Sequence, residues 1–215
     1  MTKKPTPKTP QPTEPFVQIL IVLSVIIATV AIYFMMTSSG NEKPKYGVSQ
    51  QHSSTWKNVG GNFALVDTEG QHFLSAKLRG RPNLIYFGFI SCPDICPTEL
   101  QKISVVMDDL AKDKIDIASV FVTIDPARDT APIIKAYLKN FNHNIIGLTG
   151  STDQIRKVAD MFNVYYERAG DEHDVNYMMN HTAYIYLLDK FGRFVRFFDT
   201  SSSAEEIAGA VREIE

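Results

Sequence analysis

Cys92 and Cys96 are the only cysteines in a chain of 215 residues, and they fall in the run Phe89-Ile90-Ser91-Cys92-Pro93-Asp94-Ile95-Cys96-Pro97-Thr98-Glu99-Leu100. Thiols spaced four apart sit about one helical turn from each other, so both sulfurs can face one ion. A redox pair of the thioredoxin type has two residues between its cysteines; this pair has three, which tilts the chemistry toward metal. Thiolates favour Cu(I), and one imidazole nitrogen would complete a three-coordinate site that also suits Cu(II). Zinc usually wants a fourth ligand, and no further cysteine exists to supply it. Thiol–disulfide exchange would use the same two residues, and spacing alone leaves it open. A disulfide scaffold is excluded by number.

Five histidines are available to supply the nitrogen: His52, His72, His143, His173 and His181. A solvated surface role is the default for the first three. His173 lies in the acidic segment Gly170-Asp171-Glu172-His173-Asp174 and reads the same way. His181 differs, because it immediately precedes an apolar stretch at 183–188 that reads as a strand. In a thioredoxin-like sheet the loop before that strand packs beside the cysteine loop, so position favours His181. Met178 and Met179 place soft atoms nearby, with ordinary packing as their expected use.

The cysteines must be carried by the elements around them. Residues 84–90 form a near-continuous apolar run, as in a buried central strand, and residues 98–110 repeat apolar positions at helical spacing. Pro97 suits the first turn of that helix, where its missing N–H costs nothing. The thiols therefore lie between the carboxyl end of a strand and a helix amino terminus. Ligands of open α/β sheets sit at that edge, and the helix dipole is expected to favour thiolate over thiol. Further strands are expected at 63–66, 71–74, 115–124, 183–188 and 194–198, and helices at 133–141, 152–162 and 204–214. Turns are read at Asp67-Thr68-Glu69-Gly70 and Asp189-Lys190-Phe191-Gly192. An early hairpin, then β-α-β-α, then a hairpin and a last helix predict an α/β, thioredoxin-like fold with an inserted segment. No internal repeat appears.

The amino-terminal region is of another kind. Residues 1–15 carry five prolines and no apolar periodicity, and predict a disordered tail. Residues 16–36 hold no charge; a helix of that length spans roughly 30 Å of hydrocarbon and predicts a single transmembrane anchor. A cleaved signal peptide would have a shorter apolar region and a small-residue cleavage site, whereas this run ends in Tyr33-Phe34-Met35-Met36. Residues 37–60 read as a polar linker and 61–215 as the folded domain. Lys3, Lys4 and Lys8 place the tail in the cytoplasm by the positive-inside rule, and the domain on the far side of a bacterial inner membrane. A mitochondrial inner membrane is less favoured, since the tail has no arginine and much proline. The net charge is −2, and from Gly61 onward acids outnumber Lys plus Arg by 22 to 16, so nucleic acid is not an expected partner.

Three ordered blocks resemble the Sco/SenC family: Tyr86-Phe87-Gly88-Phe89 with the cysteine run, Val122-Thr123-Ile124-Asp125-Pro126-Ala127-Arg128-Asp129-Thr130, and Asn180-His181-Thr182-Ala183 with the hairpin that follows. The resemblance covers 61–215. It implies a membrane-tethered copper metallochaperone that binds one copper ion per chain through Cys92, Cys96 and His181. Its implied partners are an upstream copper donor protein and subunit II of cytochrome c oxidase, whose dinuclear copper centre it helps assemble. The alternative it leaves open is a thiol:disulfide oxidoreductase, with Cys92 and Cys96 as the redox disulfide, which reduces the oxidase cysteines or acts in redox or copper signalling. No proline follows Pro132, so the cis-proline of general thioredoxin-type reductases is missing. A peroxiredoxin would carry Thr where Phe89 stands. Asp125 and Arg128 are candidates for supporting the metal site or touching a partner; the plainer expectation is that Asp-Pro closes a strand and Asp129 or Thr130 caps the helix near Pro132.

Overall fold

The strand that carries the cysteine loop, β3 (Asn83–Gly88), is buried at all of its residues, because Leu84, Ile85, Tyr86 and Phe87 leave it no polar face to turn to water. The computed structural model describes residues 15–38, 58–141, 144–170 and 174–215. β4 (Ala118–Thr123) runs parallel along one edge of β3, pairing Asn83 with Ala118 through to Gly88 with Thr123. β8 (Ile185–Leu188) runs antiparallel along the other edge, opposing Tyr86 with Ile185. The remaining strands complete a mixed sheet in the order β2 (His72–Leu74), β1 (Ala64–Asp67), β5 (Ile146–Thr149), β4, β3, β8, β9 (Phe194–Phe198). Four helices accompany it: α2 (Ile95–Lys112), α3 (Ala131–Leu138), α4 (Thr152–Met161) and α5 (Ala204–Arg212). Asp67 closes the early hairpin by accepting the amides of Glu69 and Gln71 at 2.9 Å each. The expected thioredoxin-like arrangement of a mixed sheet, flanking helices and a leading hairpin is present.

Three departures matter for the site. First, β5 was not foreseen; Gly147 at its centre lets α3 close on the sheet, since a Cβ there would meet Ile134, Leu138 and Thr68 within 2.8 Å. Second, the inserted segment is a separate two-stranded sheet, β6 (Tyr166–Ala169) with β7 (Met178–His181), in which Tyr166 opposes His181. His181 therefore ends a strand instead of lying in a loop, and the strand after it begins at Ile185. Third, α2 begins at Ile95, ahead of Pro97, which puts Cys96 inside the first turn.

At the amino-terminal end, α1 (Pro15–Ser38) is helical and uncharged. Its described side chains, residues 19–33, are exposed throughout. Among the described residues no helix is long and apolar enough to cross a membrane, so the anchor expected at 16–36 is not met by them. Residues 1–14 of the expected tail and 39–57 of the expected linker lie outside the described residues, as do His52, His143 and His173.

Candidate metal centre

At the carboxyl end of β3 the chain leaves the sheet through Phe89 and Ile90 and enters the cysteine loop. Ile90 is fastened there by its amide, which donates to Asp129 Oδ2 at 3.1 Å. The same oxygen accepts Thr123 Oγ1 at 2.6 Å, so Asp129 joins the ends of β3 and β4. It is 1 % exposed, and burial raises its carboxyl above the usual range. Neither it nor Thr130 caps α3 through a side chain, contrary to expectation; Thr130 occupies the cap position without a side-chain bond. An acid beside a helix start reads as a cap in sequence, and here tertiary burial claims it instead.

Both thiols are free. Cys96 is fully buried, and Cys92 is half-buried and packed against the core. The Cys96 amide donates to Cys92 Sγ at 3.4 Å, and Tyr86 Oη donates to Cys96 Sγ at 3.4 Å. Gly88 makes the cradle: a Cβ at that position would lie 2.8 Å from the Tyr86 ring and 3.0 Å from Cys96 Sγ. Burial pushes the Cys96 thiol up to about 12, against the smaller opposing pull of hydrogen bonds from Tyr86 and Phe89. The expected thiolate is thus not the resting form of Cys96: desolvation outweighs the helix terminus.

Across 85 residues of chain, β7 brings His181 Nε2 to 3.6 Å from Cys96 Sγ. Nδ1 lies 3.1 Å from the Thr182 carbonyl oxygen. A carbonyl only accepts, so Nδ1 carries the proton and the Nε2 lone pair is aimed at the sulfur. The rings of Phe89 and Tyr86 stand edge-to-face with the imidazole, at centroid distances of 5.8 and 6.4 Å. Burial lowers the His181 pKa and keeps the ring neutral, the form a metal requires. A shallow cleft of about 400 Å³ opens beside it, lined by Tyr165, Asn180, Thr182 and Asp199 among others.

Of the three expected ligands, Cys96 and His181 are brought together, while Cys92 directs its sulfur at the Cys96 amide. As the side chains stand, no three His, Cys, Asp or Glu groups among the described residues are arranged to hold a metal ion. The donor set nonetheless fits a soft, low-coordinate ion: two sulfurs and one neutral imidazole beside a sterically cleared cradle. His72 is exposed on β2, away from this edge. Asp125 and Arg128 do not reach the sulfurs by any described contact. Asp125 is 4 % exposed, pairs with Arg128 Nε at 2.5 Å and accepts Tyr177 Oη at 2.7 Å. Sequence reasoning missed Tyr86, although it shares a strand face with Gly88, and missed Asp129 and Tyr177, for which local sequence carried no signal.

A family model described as SCO1/SenC matches residues 51–214. An SCO2-like protein of Rickettsia felis is 45% identical over 192 residues, covering 89% of this chain and 93% of that protein. The crystal structure of Arabidopsis thaliana ScoI with copper bound is 36% identical, with a TM-score of 0.69 over 73% of this chain and 98% of that one. Bradyrhizobium japonicum ScoI with copper bound is 39% identical, with a TM-score of 0.66 over 73% and 99%.

Proposed function

This chain belongs to the SCO1/SenC family, and from that premise we propose that it binds one copper ion through Cys92, Cys96 and His181 and delivers it during cytochrome c oxidase assembly. The observation that carries the reading is the 3.6 Å approach of His181 Nε2 to Cys96 Sγ, with the second sulfur four residues away. Two relatives solved with copper bound share this fold at 36% and 39% identity. Copper supplies the redox-active, thiophilic centre; the protein's own residues supply the donors and a dry cradle. For Cys92 to join the other two donors, its sulfur would have to turn away from the Cys96 amide. Binding of the ion would displace the thiol protons of Cys92 and Cys96, while His181 would bind through Nε2 and keep its Nδ1 partner.

Subunit II of the oxidase is the client in this reading, and an upstream copper donor loads the site. Residues 16–36 anchor the domain in a bacterial inner membrane, with 61–215 on the periplasmic side. The support is a 24-residue helix, α1, free of charge and exposing apolar side chains wherever they are described. Copper titration of the reduced full-length chain, read by metal analysis, tests the site: one copper per chain is expected, lost in Cys92→Ala and His181→Ala. Unchanged stoichiometry in both variants would overturn it.

A second reading rests on the unequal exposure of the thiols. Partly exposed Cys92 can attack a partner disulfide and buried Cys96 can resolve the mixed disulfide, leaving the partner with two thiols and this chain with one disulfide. Turnover without copper, unaffected by His181→Ala, would favour it.

A further inference from the structure

His181 sits on a two-stranded sheet outside the main one. A lone hairpin is only marginally stable in water, so the ring is placed as precisely as the hairpin is attached. Along 177–181 exposure alternates: Tyr177, Met179 and His181 are half-buried, Met178 and Asn180 exposed. Met179 packs against the core and His181 meets Cys96. At the far end of this inward face, about 13 Å from His181 at strand spacing, stands Tyr177.

Tyr177 is held on four sides. Its hydroxyl donates to Asp125 Oδ1 at 2.7 Å, and its carbonyl accepts Arg128 Nη1 at 2.8 Å. The Arg128 guanidinium lies 3.6 Å from its ring centroid, and the Arg168 guanidinium lies 3.8 Å from it. Arg128 and Asp125 belong to the segment after β4, and Arg168 to β6. Tyr177 thus clamps both strands of the hairpin to the domain. Arg128 also pairs with Asp125 Oδ2, so the body side of the clamp is itself braced.

We propose that Tyr177 is a positioning residue: clamped between Arg128 and Arg168 and tied to Asp125, it fixes the register of β7 that brings His181 over Cys96. The inference rests on the copper-binding reading for its consequence, but its structural content does not need copper. Asp125 and Arg128 then serve the metal centre through the hairpin, without touching a ligand.

The experiment uses the full-length chain in detergent micelles with isotope-labelled histidine, the His181 signals being assigned by His181→Gln. Without metal, the ring protons of His181 carry a ring-current shift from Phe89 and Tyr86. Tyr177→Phe, which keeps the ring between the guanidiniums, retains that shift. Tyr177→Ala moves the signals toward their random-coil positions. With copper, Tyr177→Ala weakens binding about 10–100-fold and reduces the histidine nitrogen coupling in the Cu(II) spectrum, whereas Tyr177→Phe stays within about threefold. Should Tyr177→Ala fail to fold, Arg168→Ala, at an exposed position, gives a smaller shift in the same direction. Unmoved His181 signals in Tyr177→Ala overturn the proposal. If the wild type takes up no copper, the copper reading fails while the metal-free signals still decide the role of Tyr177.

Discussion

Adding one methyl group at Gly88 should disable the site while leaving every donor atom in the chain. The Cβ of Gly88→Ala would stand 2.8 Å from Tyr86 Cε1, 3.0 Å from Cys96 Sγ and 3.2 Å from Phe121 Cε2. Non-bonded carbons prefer about 3.5–4.0 Å, so all three neighbours must retreat by several tenths of an ångström or more. None has space: Tyr86, Phe121 and Cys96 are all fully buried. Gly88 does not have a positive φ, so the cost is steric and not conformational. Overpacking of this kind costs about 2–3 kcal/mol, and for a domain of this size that lowers Tm by about 4–12 °C. The easiest retreat is that of Cys96 Sγ, which carries it out of register with His181. Gly209→Ala is the control: in α5, with nothing within 4 Å of the new Cβ, it gains up to about 1 kcal/mol of helix propensity. Thermal unfolding followed by circular dichroism, with copper titration of each variant, makes the comparison. A Gly88→Ala protein that melts within 1 °C of wild type and binds copper equally well would refute the packing argument.

Asp129→Ala should cost about 2–3 kcal/mol, because the buried donors of Ile90 and Thr123 lose their shared acceptor. Asp129→Asn keeps an acceptor oxygen and should cost less. Its pH profile should also differ. With its folded pKa raised by burial, Asp129 holds its proton more tightly in the native state. Its contribution is therefore greatest below the unfolded value near 3.9 and is lost as pH rises toward the folded one. Urea unfolding between pH 3.5 and 7 should show this decline in wild type and not in Asp129→Asn; identical profiles would contradict it. Iodoacetamide at pH 8 should modify Cys92 at least about tenfold faster than Cys96, because Cys96 is buried and its thiol is pushed up to about 12, leaving almost no thiolate. Peptide mass spectrometry reads the two sites separately, and equal rates would show that Cys96 is neither buried nor protonated as described.

The strand–loop–helix unit that carries the cysteines was legible because each part has a local cause. Residues 84–87 are apolar without interruption, and Pro97 with the apolar positions Leu100, Ile103, Val106 and Leu110 announces α2. The strand β9 is likewise written in Phe194, Val195, Phe197 and Phe198. β5, β6 and β7 were not legible. Gly147 interrupts the first, while Tyr166-Glu167-Arg168-Ala169 and Met178-Met179-Asn180-His181 show neither β-branched residues nor an apolar alternation. Their strand character comes from pairing, which no short window of sequence contains. Asp129 failed for a related reason. Its position before a helix matches a cap, and only the approach of β3 and β4 reveals a better use for its carboxylate.

The electrostatic state of the site follows from burial more than from the helix terminus that sequence suggested. A buried, unpaired thiolate would carry a large desolvation cost, and protonation of Cys96 avoids it. His181 is held neutral by the same desolvation. Cys96 and His181 are thus uncharged at neutral pH and need no counter-ion, and among the described residues no Lys or Arg is bonded to either. In the copper-binding reading, a metal cation would reverse the balance, since it would take the place of the Cys96 proton with a charge that the sulfur neutralises at short range, in a medium too dry to screen it. The sulfur at Cys96 is fixed by the main sheet and by Gly88, while the nitrogen is carried on a hairpin clamped at Tyr177. In the copper-binding reading, one donor would be set by the core and the other by the separate two-stranded sheet, so the hold on a metal could be loosened without unfolding the main sheet.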